Sequence, residues 1–301
     1  MVYFSRLKGG IKVVKEQLSS FVNPKIFYHG EYSTIYHVAD GRLLKMNSDY
    51  LQSLYLMSGI SYERKILDTK AHRVSEIVSP LSAVYDKDLC RGFTMEQVKG
   101  IDLNQYVADF SLYDKANLLK YAKLYCKIEE AVKKANRLGI VIPDLCTCSN
   151  IMIDQDGKIR LVDYDGLQFG PSDKALFTSS VLGDPDQFIG HSKYCKSILS
   201  YTAELDKRSL TMLLFLLIFN KDLKLVNQYV PSIGRKIELW EIFDLINLDD
   251  EIFMNKVAAN LSFDKKGDYL GSDLMRIANN YNMMIYPLPK EDLYAKVLVR
   301  K

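Results

Sequence analysis

Short apolar and aromatic runs bounded by turn residues fill the first third of the chain, and longer runs with helical spacing follow. From Lys25 the segments KIFYH, STIYHVA and RLLKMN read as strands, with turns at His29-Gly30 and Asp40-Gly41. Residues 50–70 carry helical spacing, with Tyr62, Ile66 and Leu67 on one side, and two more strands follow in PLSAVYD and RGFTMEQ. The pattern predicts a small antiparallel sheet with one main helix. Beyond Gly100 the chain turns helical. Asp114 to Leu138 places Leu118, Leu119, Ala122, Tyr125, Ile128 and Val132 on one stripe and ends at Gly139, a fitting helix cap. Further helices are predicted near 206–219, 235–247, 250–260 and 271–281. Residues 1–22 read as an amphipathic helix or arm. The irregular stretch 167–200, broken by Gly170-Pro171 and Gly183-Asp184-Pro185, is long enough to be a lid or a substrate platform. These elements define an α+β protein with an arm over 1–24, a strand-rich part over 25–98 and a helical part over 99–301.

The most informative stretch runs from Gly139 to Gly166. It contains Asp144, then Asn150, the apolar run Ile151-Met152-Ile153, the turn Asp154-Gln155-Asp156-Gly157, a second run Ile159-Arg160-Leu161-Val162, and Asp163. Asp-Gly suits the positive φ angles of a tight turn, so the two runs form a hairpin. That hairpin brings Asn150 and Asp163 to the same end of adjacent strands. An amide oxygen and a carboxylate there are hard donors suited to Mg²⁺, and Asp144 supplies a proton acceptor.

Composition removes several function classes. The 301 residues carry 40 basic and 37 acidic side chains, a net charge of +3, too balanced to argue for nucleic acid or a membrane surface. The longest apolar run, Met212 to Phe219, falls far short of the roughly 20 residues that span a bilayer. The five cysteines have no framework spacing, and the N-terminus has no long apolar core, so reduced thiols in the cytoplasm are expected. Cys146-x-Cys148 lacks the second pair that a zinc site needs.

Other positions extend the hairpin into a larger pattern. Tyr28-His29-Gly30-Glu31-Tyr32-Ser33-Thr34-Ile35-Tyr36 is similar to a glycine-rich loop of the form G-x-G-x-F-G-x-V-Y with the middle glycine kept. Lys45 stands on the third strand in GRLLKM, and Glu63 lies 18 residues on, in SYERKIL. Met95-Glu96-Gln97-Val98-Lys99-Gly100 is similar to a hinge, and Asp144, Asn150 and Asp163 follow in order. Taken together, residues 25 to 283 resemble the protein-kinase-like superfamily, as an atypical or divergent Ser/Thr protein kinase.

That resemblance implies a bilobal fold that binds ATP and Mg²⁺ and transfers the γ-phosphoryl group to a hydroxyl. Gly30, Tyr32 and Ser33 would cover the phosphates, and Lys45 would hold them, positioned by Glu63 with Glu76 as a competitor. Ile35, Leu43 and Met152 would sandwich adenine, Met95 would be the gatekeeper, and the Glu96 to Val98 backbone would bond the base. Asp144 would be the base, and Asn150 and Asp163 the metal ligands. Asp206 would anchor the catalytic loop, and Leu67, Ile142 and Tyr164 would stack as a spine. The departures are specific. Ile142-Pro143-Asp144 stands where the family has H-R-D, and Cys146 where it has a lysine. Asp163-Tyr164-Asp165-Gly166 replaces D-F-G, no A-P-E is visible, and Asp144 to Asn150 spans one residue more than usual. A protein Ser/Thr hydroxyl is the expected acceptor. A small-molecule kinase and a nucleotide-binding pseudokinase scaffold are the alternatives.

Overall fold

The computed structural model describes residues 3–6, 12–30, 32–38, 41–72, 74–107, 115–145, 147–163, 167–170, 173, 202–218, 229–230, 235–236, 250–261 and 266–280. It is a mixed α+β structure. The first part of the chain forms β1 (Tyr3–Arg6), β2 (Lys12–Gln17), β3 (Lys25–His29), β4 (Ser33–His37) and β5 (Arg42–Asn47). Helices α1 (Asp49–Ser58) and α2 (Tyr62–Ala71) come next, then β6 (Pro80–Asp86) and β7 (Leu89–Glu96). The seven strands make one sheet in the order β1-β2-β6-β7-β5-β4-β3.

Two expectations change here. The described residues among 1–22 form no α-helix, because β1 and β2 pair antiparallel and join the sheet. The sheet is also not wholly antiparallel, since β2 runs parallel to β6 in the register Val14↔Ser82 to Gln17↔Tyr85. A polar cluster fastens the arm. Glu16 on β2 accepts from Arg42 Nη1 at 2.7 Å and Nη2 at 3.3 Å. Ser82 also donates to Glu16, and its hydroxyl lies 2.5 Å from the Thr94 hydroxyl. Arg42 Nη1 donates to Thr94 as well, so strands β2, β5, β6 and β7 share one network. Bidentate arginine–carboxylate pairing adds geometric specificity to such a join.

The expected helix over 50–70 is two helices. Ser48 caps α1 by accepting from Leu51 N at 3.1 Å, and Ser61 caps α2 by accepting from Arg64 N at 3.2 Å. Between them Gly59 has φ +67°, a left-handed turn that ends α1 at little steric cost only for glycine. At Gly92 on β7 a Cβ would come within 2.1 Å of the Lys45 carbonyl, so its lack of a side chain lets β7 lie close against β5.

Residues 97–99 lead from β7 to the second half of the chain. There β8 (Gly100–Asp102) is followed by α3 (Leu103–Tyr106), α4 (Lys115–Arg137), β9 (Ile140–Val141), β10 (Ile151–Asp154), β11 (Ile159–Leu161) and β12 (Gln168–Phe169). Helix α5 (Ala203–Ile218), the hairpin β13 (Tyr229–Val230) and β14 (Arg235–Lys236), α6 (Glu251–Leu261) and α7 (Gly271–Asn280) complete it. Strands β11, β10 and β8 form a small antiparallel sheet, and β12 pairs with β9. The α4 stripe is core as its spacing predicts, with Leu118, Ala122, Tyr125, Ile128 and Val132 buried and Leu119 partly so. Arg235 and Lys236, expected to open a helix, are a strand, and 237–247 lies outside the described residues, as does most of 167–200. Among the described residues no helix is long and apolar enough to cross a membrane.

Candidate active site

The hairpin forms where the sequence places it. Asp154 Oδ1 accepts from the amides of Asp156 and Lys158, both at 2.9 Å, which closes the turn. At the other end Val162 N donates to Asn150 O at 2.9 Å, so Asn150 and Asp163 leave the paired strands side by side. Asp163 has φ +65°, a left-handed conformation that costs a side-chain-bearing residue roughly 1 kcal/mol. Strain at a polar residue of this kind concentrates at functional positions.

Lys45 reaches this point from the large sheet. It is buried on β5, opposite Ile35 on β4 and Phe93 on β7, and Leu43 lies opposite Met95 two residues before it. Cross-strand partners share a face, so Ile35, Leu43, Lys45, Phe93 and Met95 all look the same way. Lys45 Nζ lies 2.5 Å from Asp163 Oδ1, with side-chain exposures of 5% and 44%. The ion pair therefore joins the two halves of the molecule. Glu96 ends β7 and pairs with Arg160 on β11, a second join at the crossing segment. Val98 packs against the core, and Met152 sits half-buried on β10 between Arg160 and Asp102.

Glu63 does not hold Lys45. Its carboxylate lies 2.8 Å from Lys15 Nζ, because β2 runs beside β6 and carries Lys15 to α2. Glu76, the competitor, pairs with Lys134 on α4. The loop over Gly30, Tyr32 and Ser33 also differs from an open phosphate cradle. Gly30 N donates to Ser33 O at 2.9 Å, so that amide is committed within the turn. Tyr32 stacks on Tyr50 of α1 with ring centroids 6.0 Å apart.

Asp144 lies in the loop between β9 and β10. Thr147 Oγ1 donates to its Oδ1 at 2.6 Å and Asn150 Nδ2 to its Oδ2 at 2.9 Å. Burial pushes the Asp144 carboxyl up to about 6, with the Asp163 charge adding to the rise and the Thr147 and Asn150 hydrogen bonds opposing it. A small pocket lined by Ile142, Asp144, Leu145, Asn150, Val162 and Asp163 adjoins these groups.

Asp206 holds this loop from beneath. It is fully buried at the start of α5 and accepts from Ile142 N at 2.9 Å and Asn136 Nδ2 at 2.5 Å. Burial drives its carboxyl up to about 7 against those two hydrogen bonds. Leu67 and Ile142 are buried as spine positions would be, while Tyr164, Asp165 and Cys146 lie outside the described residues.

Three contributors escaped the sequence reading: Thr147, Lys15 and Lys65. Lys65 on α2 is buried, and its Nζ donates to Leu167 O at 2.8 Å and pairs with Asp173 Oδ2 at 2.5 Å. The same Asp173 oxygen accepts from Phe169 N at 2.8 Å. Burial lowers the Lys65 pKa more than the Asp173 charge restores it. The signal was a lysine sitting among Tyr62, Ile66 and Thr69, on the apolar side of its helix. Lys65→Met is expected to cost about 3 kcal/mol by stranding Asp173 and the Leu167 carbonyl. Denaturant unfolding of the two proteins measures this, and an unchanged midpoint would show that the pair is worth nothing.

The donors that Asn150 and Asp163 leave open decide whether the pair suits a metal. A carboxylate only accepts, so the Asn150 amide must present its nitrogen to Asp144, which leaves its Oδ1 without a hydrogen bond among the described residues. Lys45 takes Asp163 Oδ1, and Oδ2 likewise makes none. Two hard oxygens remain, which fits Mg²⁺. Among the described residues no group of three or more His, Cys, Asp or Glu side chains could hold a metal ion. No protein-family model matches this chain, and no curated protein matches its sequence.

Proposed function

We propose that this chain is a bilobal, protein-kinase-like phosphotransferase that moves the γ-phosphoryl group of ATP to a hydroxyl, with a protein Ser/Thr as the favoured acceptor. The observation that carries the reading is the meeting of Lys45 and Asp163 across the two halves, beside the Asp144–Asn150 pair. In this reading the Lys45 ammonium binds phosphate oxygens when nucleotide displaces it from Asp163. Asn150 Oδ1 and Asp163 would hold Mg²⁺, which when bound would neutralise charge on the phosphates. Asp144 accepts the acceptor hydroxyl's proton, and Asp206 keeps the loop that carries it in place. Ile35, Leu43, Met95 and Met152 supply the apolar surroundings of the base. The positioning role first expected of Glu63 is not retained.

The test is incubation with Mg²⁺ and γ-labelled ATP, with label sought on the protein itself, on a generic protein substrate and on small hydroxyl compounds. Transfer that depends on Asp163 supports the reading, and the absence of both transfer and a nucleotide-dependent thermal shift would sink it. A nucleotide-binding scaffold is the second reading, favoured by the committed Gly30 amide and by Glu63 pairing with Lys15 rather than Lys45. A thermal shift without transfer selects it.

The transfer rate is expected to rise with pH through about 6 and then level, because Asp144 accepts a proton only when ionised. A rate–pH profile between about pH 5 and 8 checks this, and the rising limb disappears in Asp144→Asn. A flat wild-type profile would remove Asp144 from the role of base.

A further inference from the structure

The extra residue between Asp144 and Asn150 has a structural use. Thr147 N donates to Asp144 O at 3.3 Å, and Asn150 N donates to Thr147 O at 2.8 Å. These are two successive steps of three residues, the second ending in a 3-10 turn over Cys148–Asn150. Such steps bring side chains at i and i+3 above one another. A separation of six residues holds two of them, so Asp144, Thr147 and Asn150 stand along one edge of the loop. Their side chains meet there, with Thr147 Oγ1 2.6 Å from Asp144 Oδ1 and Asn150 Nδ2 2.9 Å from Oδ2. The same amide lies 3.4 Å from the Asp144 carbonyl. A loop one residue shorter could not hold two such steps between its ends.

The geometry points to Thr147 as a positioning residue that clamps the Asp144 carboxylate. The torsion that turns a carboxylate about its own bond is broad, so one donor leaves the group free to swing. Asn150 pins one oxygen. Thr147 pins the other with a short, charge-assisted bond, and the plane of the carboxylate is then fixed. The remaining lone pairs keep one direction, which proton acceptance from a bound hydroxyl requires. The family that the chain resembles has a separation of five, one residue too few for both steps. The catalytic meaning of this clamp rests on the phosphotransferase reading, whereas the clamp itself does not.

Two variants separate the hydroxyl from the shape of the side chain: Thr147→Val removes it in an isosteric residue and Thr147→Ser keeps it. Crystal structures of both and of the wild type report the orientation of Asp144. Release of labelled phosphate from Mg·ATP reports rate, and calorimetry reports ATP affinity. In Thr147→Val, Asp144 is expected in more than one orientation, with the rate down about tenfold and ATP affinity changed less than about twofold. Thr147→Ser restores both orientation and rate. A single, unchanged Asp144 orientation in Thr147→Val overturns the proposal, and so do equal losses in the two variants. If the wild type releases no phosphate, label transfer to an acceptor decides the phosphotransferase reading and the three structures alone decide the clamp.

Discussion

Replacing Asp163 by asparagine is expected to lower Mg²⁺-dependent transfer from ATP by at least about a thousandfold. The residue does two things in the site. Its free oxygen is one of the two hard donors left for the metal, and its other oxygen neutralises Lys45 across the two halves. Asparagine is a cleaner test than alanine because it tolerates the left-handed backbone at φ +65°. It keeps the shape and removes the charge. The buried Lys45 then loses an opposite charge that it meets at 2.5 Å, which is costly. The variant is therefore also expected to unfold earlier than wild type and to regain stability when ATP offers its phosphates to Lys45. Initial rates with labelled ATP, and thermal unfolding with and without nucleotide, measure both effects. Wild-type rates in Asp163→Asn would remove the metal-holding role.

Asp206→Ala is expected to cost about 3 kcal/mol of stability. The substitution leaves Ile142 N and Asn136 Nδ2 as buried donors without an acceptor. Asn136 cannot turn away, because its amide also donates to Ile140 O at 2.9 Å and its Oδ1 accepts from Tyr269 Oη at 2.8 Å. For the same reason Asp206→Asn sets one amide group against another and is no simple rescue. The wild-type carboxyl keeps its proton up to about 7, well above its ordinary value of 3.8. Between those values the folded chain holds a proton that the unfolded chain has released. This group's contribution to stability therefore falls as pH rises through that window. Denaturant midpoints across the window should show a slope in the wild type that is missing in Asp206→Ala. Identical slopes would assign the pH dependence to other groups.

The sequence was most legible where a pattern is local. The hairpin from Ile151 to Leu161 is written in two apolar runs and an Asp-Gly turn, and α4 in a stripe that repeats over about four turns. Lys45, Asn150 and Asp163 were recognisable because spacing along the chain anticipates their meeting. Glu63 shows the limit of that method. Its helix and its position were read correctly, but its partner was decided by a strand from the arm, and nothing near Lys15 or Glu63 announces the pairing. The division of residues 50–70 at Gly59 was visible only as one glycine, which a helical pattern tolerates at a cost of about 1 kcal/mol. The spacing between Asp144 and Asn150 reads along the chain only as a departure from the family that it resembles. In three dimensions the same residue count gives that carboxylate a second hydrogen-bond donor.

The parallel join of β2 to β6 also bears on the order in which the chain assembles. Glu16 and Ser82, which meet in that join, are 66 residues apart. As the chain leaves the ribosome, β2 can pair with β1 at once, but it waits for everything through β6 before it can join the large sheet. The strands from β3 to β7 are closer in sequence and can associate first, because short loops close at lower entropic cost. The arm is thus a late arrival that covers an otherwise open sheet edge and carries Lys15 to Glu63 as it docks.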